Sequence, residues 1–290
     1  MSHAEVDWPS IIWFVVLTFV ITWGIEIYFI KVRGMSLAGV PQLQAQLTAA
    51  AVMWVPAAVA YVVGRFVTGV GFADCGLRLA PMAPFAATMV LIPAVFLVIY
   101  ALTWLAGLGD PEWSLSTFNE MLSSAGKRPQ FTGPPGRVLL TVLAFSVLLA
   151  PFVNGLAAFG EEFGWRGFLL PKLLPLGHAR ALLITGVVWG LWHAPLVYAG
   201  FNYPGRPWTG IFLMVAFTTL AGAYIGGLQI AYGSVFLAAF AHGVINSQIY
   251  GIWRPLFPTV DPAVGGAVGV VGLAVWAVLA VWAWRVLWTG

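Results

Sequence analysis

Residues 84–106 read PFAATMVLIPAVFLVIYALTWLA, without one charged side chain. A helix rises about 1.5 Å per residue and a bilayer's hydrocarbon core is about 30 Å thick. About 20 apolar residues in a row therefore predict a spanning helix. The stretch is continuous and does not alternate as a barrel strand facing lipid and lumen would. Working outward, residues 10–30, 47–66, 138–158, 181–199, 210–230, 234–250 and 264–286 repeat the pattern. The expected fold is all-α: a polytopic membrane protein of about eight transmembrane helices around an intramembrane polar chamber. The first stretch is too late and too long for a signal peptide, and no small-residue cleavage site follows it. Ala231-Tyr232-Gly233 predicts a tight turn between the sixth and seventh spans.

Composition supports this. Of 290 residues, 61% are hydrophobic and 8% charged, with a mean hydropathy of +0.92. Soluble domains run at roughly half apolar and a quarter charged. A water-soluble enzyme, a nucleic-acid binder and a disordered chain are thereby excluded. The net charge of +3 says little about partners. The single Cys75 excludes a disulfide framework and a Cys-based zinc site. No internal repeat or low-complexity tract is visible, so residues 1–290 read as one membrane domain. The longest polar loop, 108–137, holds Asp110, Glu112, Glu120, Lys127, Arg128 and the turn-forming Gly133-Pro134-Pro135-Gly136. Its centre, 113–122, reads as a short interfacial helix. With the N-terminus inside, six basic residues fall in inner loops and seven in outer ones, so the positive-inside rule does not orient the chain. Gly186 and Gly190, like Gly222 and Gly226, stand four apart and let helices approach closely.

Ionisable groups inside spans are costly and are functional candidates by default. They concentrate in three places. Glu161, Glu162 and Arg166 end the fourth span; Glu162 and Arg166 are i and i+4 and can pair, while Glu161 is turned about 100° away. One carboxylate can thus be neutralised by arginine while the other faces a cavity, where a carboxylate suits a general base. The plainer alternative is an ion-pair network anchoring the helix. His193 lies deep in the fifth span, one turn beyond Trp189; alone it reads as readily as a packing residue. His242 and Asn246 share one face of the seventh span, or simply bond a neighbouring helix. Two carboxylates, an arginine, two histidines and an asparagine on three spans fit a shared hydrated pocket. A base, imidazoles and an amide donor are the parts of a water-activating hydrolase. A proton-coupled transporter would need inverted repeats and broken mid-membrane helices, and the sequence displays neither. Glu26, near the end of the first span, reads as a snorkelling side chain, and Arg285 as an interfacial anchor.

These residues resemble the three motifs of the CAAX protease and bacteriocin-processing family of intramembrane glutamic endopeptidases. Glu161, Glu162 and Arg166 match Glu-Glu-x-x-x-Arg. His193 matches Phe-x-x-x-His, with Trp189 in place of phenylalanine, which keeps a large ring. His242 and Asn246 match His-x-x-x-Asn/Asp. The run Arg166-Gly167-Phe168-Leu169-Leu170-Pro171 also looks like bacterial members. The resemblance covers residues 138–251 and is specific because all three motifs occur in order on separate spans.

The resemblance implies an endopeptidase acting on a peptide or membrane protein, lipidated or not, at a chamber open to the cytoplasm. It makes Glu161 the base that activates water, His193 its orienting partner, and His242 and Asn246 the oxyanion donors. Glu162 and Arg166 are support, with the arginine keeping Glu162 ionised. No cofactor is expected. Zinc is the lesser reading: Glu161, His193 and His242 are possible ligand types, but no single helix carries a His-Glu-x-x-His pair. The alternative is a non-proteolytic bacteriocin-immunity or binding protein of the same family. Ten arginines against three lysines, with abundant Ala, Gly, Val and Trp, point to a GC-rich prokaryote and hence to its cell membrane.

Overall fold

The computed structural model describes residues 5–35, 43–69, 72, 75–124 and 133–288. His3, Lys127 and Arg128 lie outside them. Among the described residues every regular element is helical. Helix α1 (Trp8–Lys31) starts where the Asp7 carboxylate accepts the backbone N–H of Ser10 at 3.2 Å, with a proline in its first turn. Helices α2 (Leu43–Val52) and α3 (Val55–Val62) run into a π turn, Val63–Val67, as one apolar rod. Helix α4 (Met82–Leu105) is the stretch that decides the fold, and it accommodates Pro93 in its interior.

Helix α5 (Ser116–Ser124) is the short helix expected at 113–122, displaced by three residues at its start. The Glu112 carboxylate accepts the Thr117 N–H at 2.9 Å and the Ser114 and Ser116 hydroxyls, and Leu115 adopts φ 55°. That capped turn must close before the helix begins.

Helices α6 (Pro135–Leu148) and α7 (Ala150–Glu162) form a pair bent by 41°. Pro151 has no N–H for the carbonyl one turn back, which explains the bend. The chain continues through a π turn (Phe163–Leu169) into α8 (Leu170–Leu173). Helix α9 (His178–Trp192) stops at His193, and α10 (Ala194–Tyr198) follows. Helix α11 (Pro207–Tyr232) ends on Gly233, whose φ of 59° is the left-handed conformation glycine adopts without penalty. Ser234 then caps α12 (Val235–Ser247), so the expected tight turn is two residues long. A π turn (Gln248–Trp253), α13 (Arg254–Leu256) and α14 (Val270–Leu287) complete the chain.

Among the described residues six helices are long and apolar enough to cross a membrane, or seven if the bent pair is one span, in rough agreement with the expected eight. The shortfall lies at 181–199, where a broken helix replaces a span. Such a break was absent from the sequence reading, although Pro195 signals it. Helix α11 and the run from α12 through α13 form the centre, with 61% and 72% of their most apolar stretches buried. Large residues such as Ile12, Val16 and Val20 on α1 and Val278 and Val281 on α14 point outward, as lipid-facing residues do. Close approach rests on glycine. A methyl group on Gly190 would lie 2.5 Å from the Val215 Cα of α11, and one on Gly243 would lie 2.5 Å from the Gly155 nitrogen of α7. These contacts bring α7, α9 and α12, the three motif helices, around one space.

Candidate active site

Helix α7 ends at Glu162, and the π turn that follows shifts the next residues around the axis. Such turns recur at functional sites because they re-aim side chains. Glu161 and Glu162 are both buried, at 2% and 0% exposure, yet they serve different partners. Glu162 Oε1 accepts NH1 of Arg166 at 2.9 Å and Nδ1–H of His242 at 2.8 Å. The i, i+4 ion pair expected from spacing is therefore formed. Glu161 instead lines a cavity of about 750 Å³ within the bundle.

Trp189 is the hub of this arrangement. Its indole Nε1–H donates to Glu161 Oε2 at 2.6 Å, which leaves Oε1 toward the cavity. The same ring lies 4.3 Å from the Arg166 guanidinium carbon, a cation–π distance, and edge-on to His242 at 5.2 Å between centroids. The side chain read from sequence as only a large ring thus holds a carboxylate oxygen. Phenylalanine has no donor for this purpose. Gly222 makes room behind it: a methyl there would lie 2.8 Å from Arg166 NH2.

His193 sits at the break between α9 and α10. Pro195 cannot donate to the turn before it, so carbonyls at the break need other partners. Nδ1–H of His193 donates to the Trp189 carbonyl at 2.9 Å, and Trp23 Nε1–H of α1 donates to the Trp192 carbonyl at 3.1 Å. A carbonyl only accepts, so the proton of neutral His193 is on Nδ1 and the Nε2 lone pair is free for a ligand. Phe201 lies parallel to the ring at 6.4 Å.

His242 and Asn246, one turn apart on α12, both line the cavity. With Nδ1–H committed to Glu162, His242 presents a lone pair at Nε2 when neutral and an N–H there as imidazolium. Glu162 is then the counter-charge. The structure therefore brings Glu161, Trp189, His193, His242 and Asn246 to one cavity, while Glu162 and Arg166 stand behind it. Among the described residues no group of three or more His, Cys, Asp and Glu side chains is arranged to hold a metal ion. With both Nδ1 atoms engaged elsewhere, Nε2 is the available ring nitrogen of His193 and of His242.

Among the lining residues that escaped the sequence reading are Asn202, Tyr250 and Arg254. The signal was present, because His242, Asn246, Tyr250 and Arg254 recur every four residues. Glu26 corrects an expectation. It does not snorkel: it is fully buried, and neither carboxylate oxygen has a partner among the described residues. Ser10, Phe14, Thr18 and Thr22, at four-residue steps on the same face of α1, are equally buried. Glu26 therefore faces the bundle, where a carboxylate has no route to the interface.

Residues 138–248 match the family model of the Rce1-like proteins, described as type II CAAX prenyl endopeptidase Rce1-like. This segment holds all three motifs and every cavity-lining residue contributed by α7, α9 and α12, so the similarity to that family covers the motif-bearing core. No curated protein matches the chain.

Proposed function

We propose that the protein is an intramembrane endopeptidase of CAAX type that hydrolyses a peptide bond with a water activated by Glu161. The observation that carries this reading is the shared cavity, into which one carboxylate, two imidazoles and an amide from three helices converge. Glu161 takes a proton from the water as its oxygen attacks the carbonyl carbon. His193 Nε2 accepts the water's other hydrogen bond and fixes its direction. His242, as imidazolium paired with Glu162, and the Asn246 amide donate to the oxyanion. Loss of one such donor typically costs about 3 kcal/mol of transition-state stabilisation. The protonated Glu161 then delivers its proton to the leaving amine, and the carboxylate is restored. Water is the only co-reactant, and no metal enters.

The substrate is a peptide or membrane protein, and the chamber serves the cytoplasmic side of a prokaryotic cell membrane. The test compares membranes bearing wild type with those bearing Glu161→Gln by proteomics. A fragment that appears only with wild type is the expected result. Identical peptide sets, with both proteins inserted at equal levels, would leave the non-proteolytic binding role instead.

A further inference from the structure

We propose that the inner face of α1 and the two indoles beside it, Trp165 and Trp192, enclose a store of bound water that supplies the hydrolytic water of Glu161. The proposal deepens the endopeptidase reading, because it names where the second substrate is held, and it rests on that reading for the use of the water.

Hydrolysis consumes one water for each peptide bond. The hydrocarbon core of a bilayer holds none to draw on. The chamber walls include Leu196, Ile245, Ile249 and Val268, and a peptide lying against such apolar walls displaces the water between them. A site that the peptide does not reach keeps the next water at hand.

Helix α1 offers such a site. Thr18, Thr22 and Glu26 lie at four-residue steps on one face and are fully buried. Among the described residues, neither threonine hydroxyl and neither carboxyl oxygen of Glu26 has a protein partner. The threonines have a local alternative. Thr103, Thr141 and Thr185 turn their hydroxyls back to the carbonyl four residues earlier, at 2.8–2.9 Å. Thr18 and Thr22 stand inside an unbroken helix with the same kind of carbonyl in reach and do not.

Two donors accompany these acceptors. The indole N–H groups of Trp165 and Trp192 are buried and likewise have no protein partner among the described residues. The Phe14 ring meets Trp165 at 5.4 Å between centroids, Trp165 meets Trp192 at 5.9 Å, and the Trp23 N–H reaches the Trp192 carbonyl at 3.1 Å. The two indoles thus run beside α1 from residue 14 to residue 23, the stretch that holds Thr18 and Thr22. Glu26 follows one turn later. A buried water takes about two to four polar partners, and hydroxyls, a carboxyl and N–H donors supply them in both senses. Eight residues from Thr18 to Glu26 span about 12 Å of helix axis, room for about four waters in line at the usual O···O spacing of about 2.8 Å.

The two ends of the seam differ. Toward Ser10, the Phe14 ring packs on Trp165 and, at 5.2 Å, on Phe168, and closes the seam. At the other end Trp192 is shared with the chamber: it lines the cavity and stands edge-on to His193 at 4.8 Å. The charge on Glu161 is felt at Glu26. One closed end makes the seam a store rather than a channel across the membrane. Water leaves it past Trp192, beside the imidazole that orients the attack.

The test exposes the full-length protein in lipid nanodiscs to X-ray radiolysis, which turns bound water into hydroxyl radicals that oxidise the side chains next to it. Trp165 is the reporter, since it is fully buried and does not line the chamber. The expected result is oxidation of Trp165 in wild type despite its burial. Thr18→Val with Thr22→Val, and separately Glu26→Met, lower that oxidation severalfold and leave exposed Trp8 as before. The second readout is the rate of release of the fragment that appears only with wild type. Both variants slow it severalfold in kcat with KM unchanged. Glu26→Gln, which keeps a polar partner for water, retains both readouts. Polar groups kept at a cost to stability are a recurrent mark of function, and Glu26→Met, expected to be at least as stable as wild type, separates lost water from lost fold. An unoxidised Trp165 in wild type overturns the proposal, as does release at the wild-type rate from variants whose Trp165 goes unoxidised. Slow release from Glu26→Gln with Trp165 still oxidised overturns it too, because the carboxyl then supplies a proton rather than holding water. Oxidation of Trp165 in a wild type that releases no fragment overturns the endopeptidase reading and leaves the bound water standing.

Discussion

The indole nitrogen of Trp189 donates to Oε2 of Glu161 at 2.6 Å, across 28 residues of sequence and from one motif to another. The bond pins one oxygen of the proposed base and leaves the other for water. Trp189→Phe preserves the ring over Arg166 and beside His242 but leaves a buried carboxylate oxygen without its donor. Thermal unfolding in detergent should show a loss of about 1–3 kcal/mol. Trp189→Ala, which also deletes the ring, should lose about 3–5 kcal/mol. Equal stability of wild type and the phenylalanine variant would mean that the indole N–H is not engaged.

Glu162 and Glu161 should respond oppositely to amide substitution. Glu162→Gln removes the counter-charge of Arg166 and the carboxylate acceptor of His242, and breaking a buried pair typically costs about 3–5 kcal/mol. Glu161→Gln exchanges a lone cavity carboxylate for a neutral isostere and should leave the melting temperature near or above that of wild type while abolishing cleavage. A scan of the two variants side by side separates support from chemistry. If Glu162→Gln melts with wild type, the pair is not structural.

Much of this was legible in the chain before folding. Hydrophobic runs gave the spans because a bilayer demands about 20 apolar residues whatever the tertiary fold. Glu162 and Arg166 were paired by helical periodicity, a local property. What stayed hidden depends on contacts far apart in sequence. Glu26 is an exception, because Ser10, Thr18 and Thr22, spaced by multiples of four residues, mark the inner face of α1 as a polar stripe that the sequence reading passed over. The π turns after Glu162 and Ser247 leave no compositional trace. Trp189 was read for its ring, although its one N–H is what binds, because spacing along a helix does not disclose which atom of a partner helix arrives.

Glu26 is a carboxyl buried without a partner among the described residues, and such groups cost stability. Glu26→Met, similar in length and apolar, should raise stability by about 1–3 kcal/mol, read as a higher melting temperature in the same detergent. A fall instead would show that the carboxyl holds a bound proton or water that the fold requires.

Outside the spans, Glu112 predicts an acid effect. Hydrogen bonds from the Ser116 hydroxyl first, then from Thr117 and Ser114, outweigh its partial burial and hold its carboxyl down at about 2. A folded-state value below the ordinary one means that the contribution is fully present above the usual carboxylate range, near pH 4.5, and fades as pH falls toward 2. Hydrogen exchange at the Thr117 amide should accelerate over that window, and Glu112→Gln should show the faster exchange already at pH 7. Protection that is flat between pH 5 and 2 would contradict the capped turn.

The bond from Trp23 to the Trp192 carbonyl has a practical consequence. The kink that aims His193 is splinted by α1, well outside the stretch that carries the three motifs. A truncated protein beginning near residue 138 would keep every signature side chain and lose the brace on one of them. Expression of that fragment should therefore yield an inert, poorly ordered bundle, and the smallest working unit reaches back to α1.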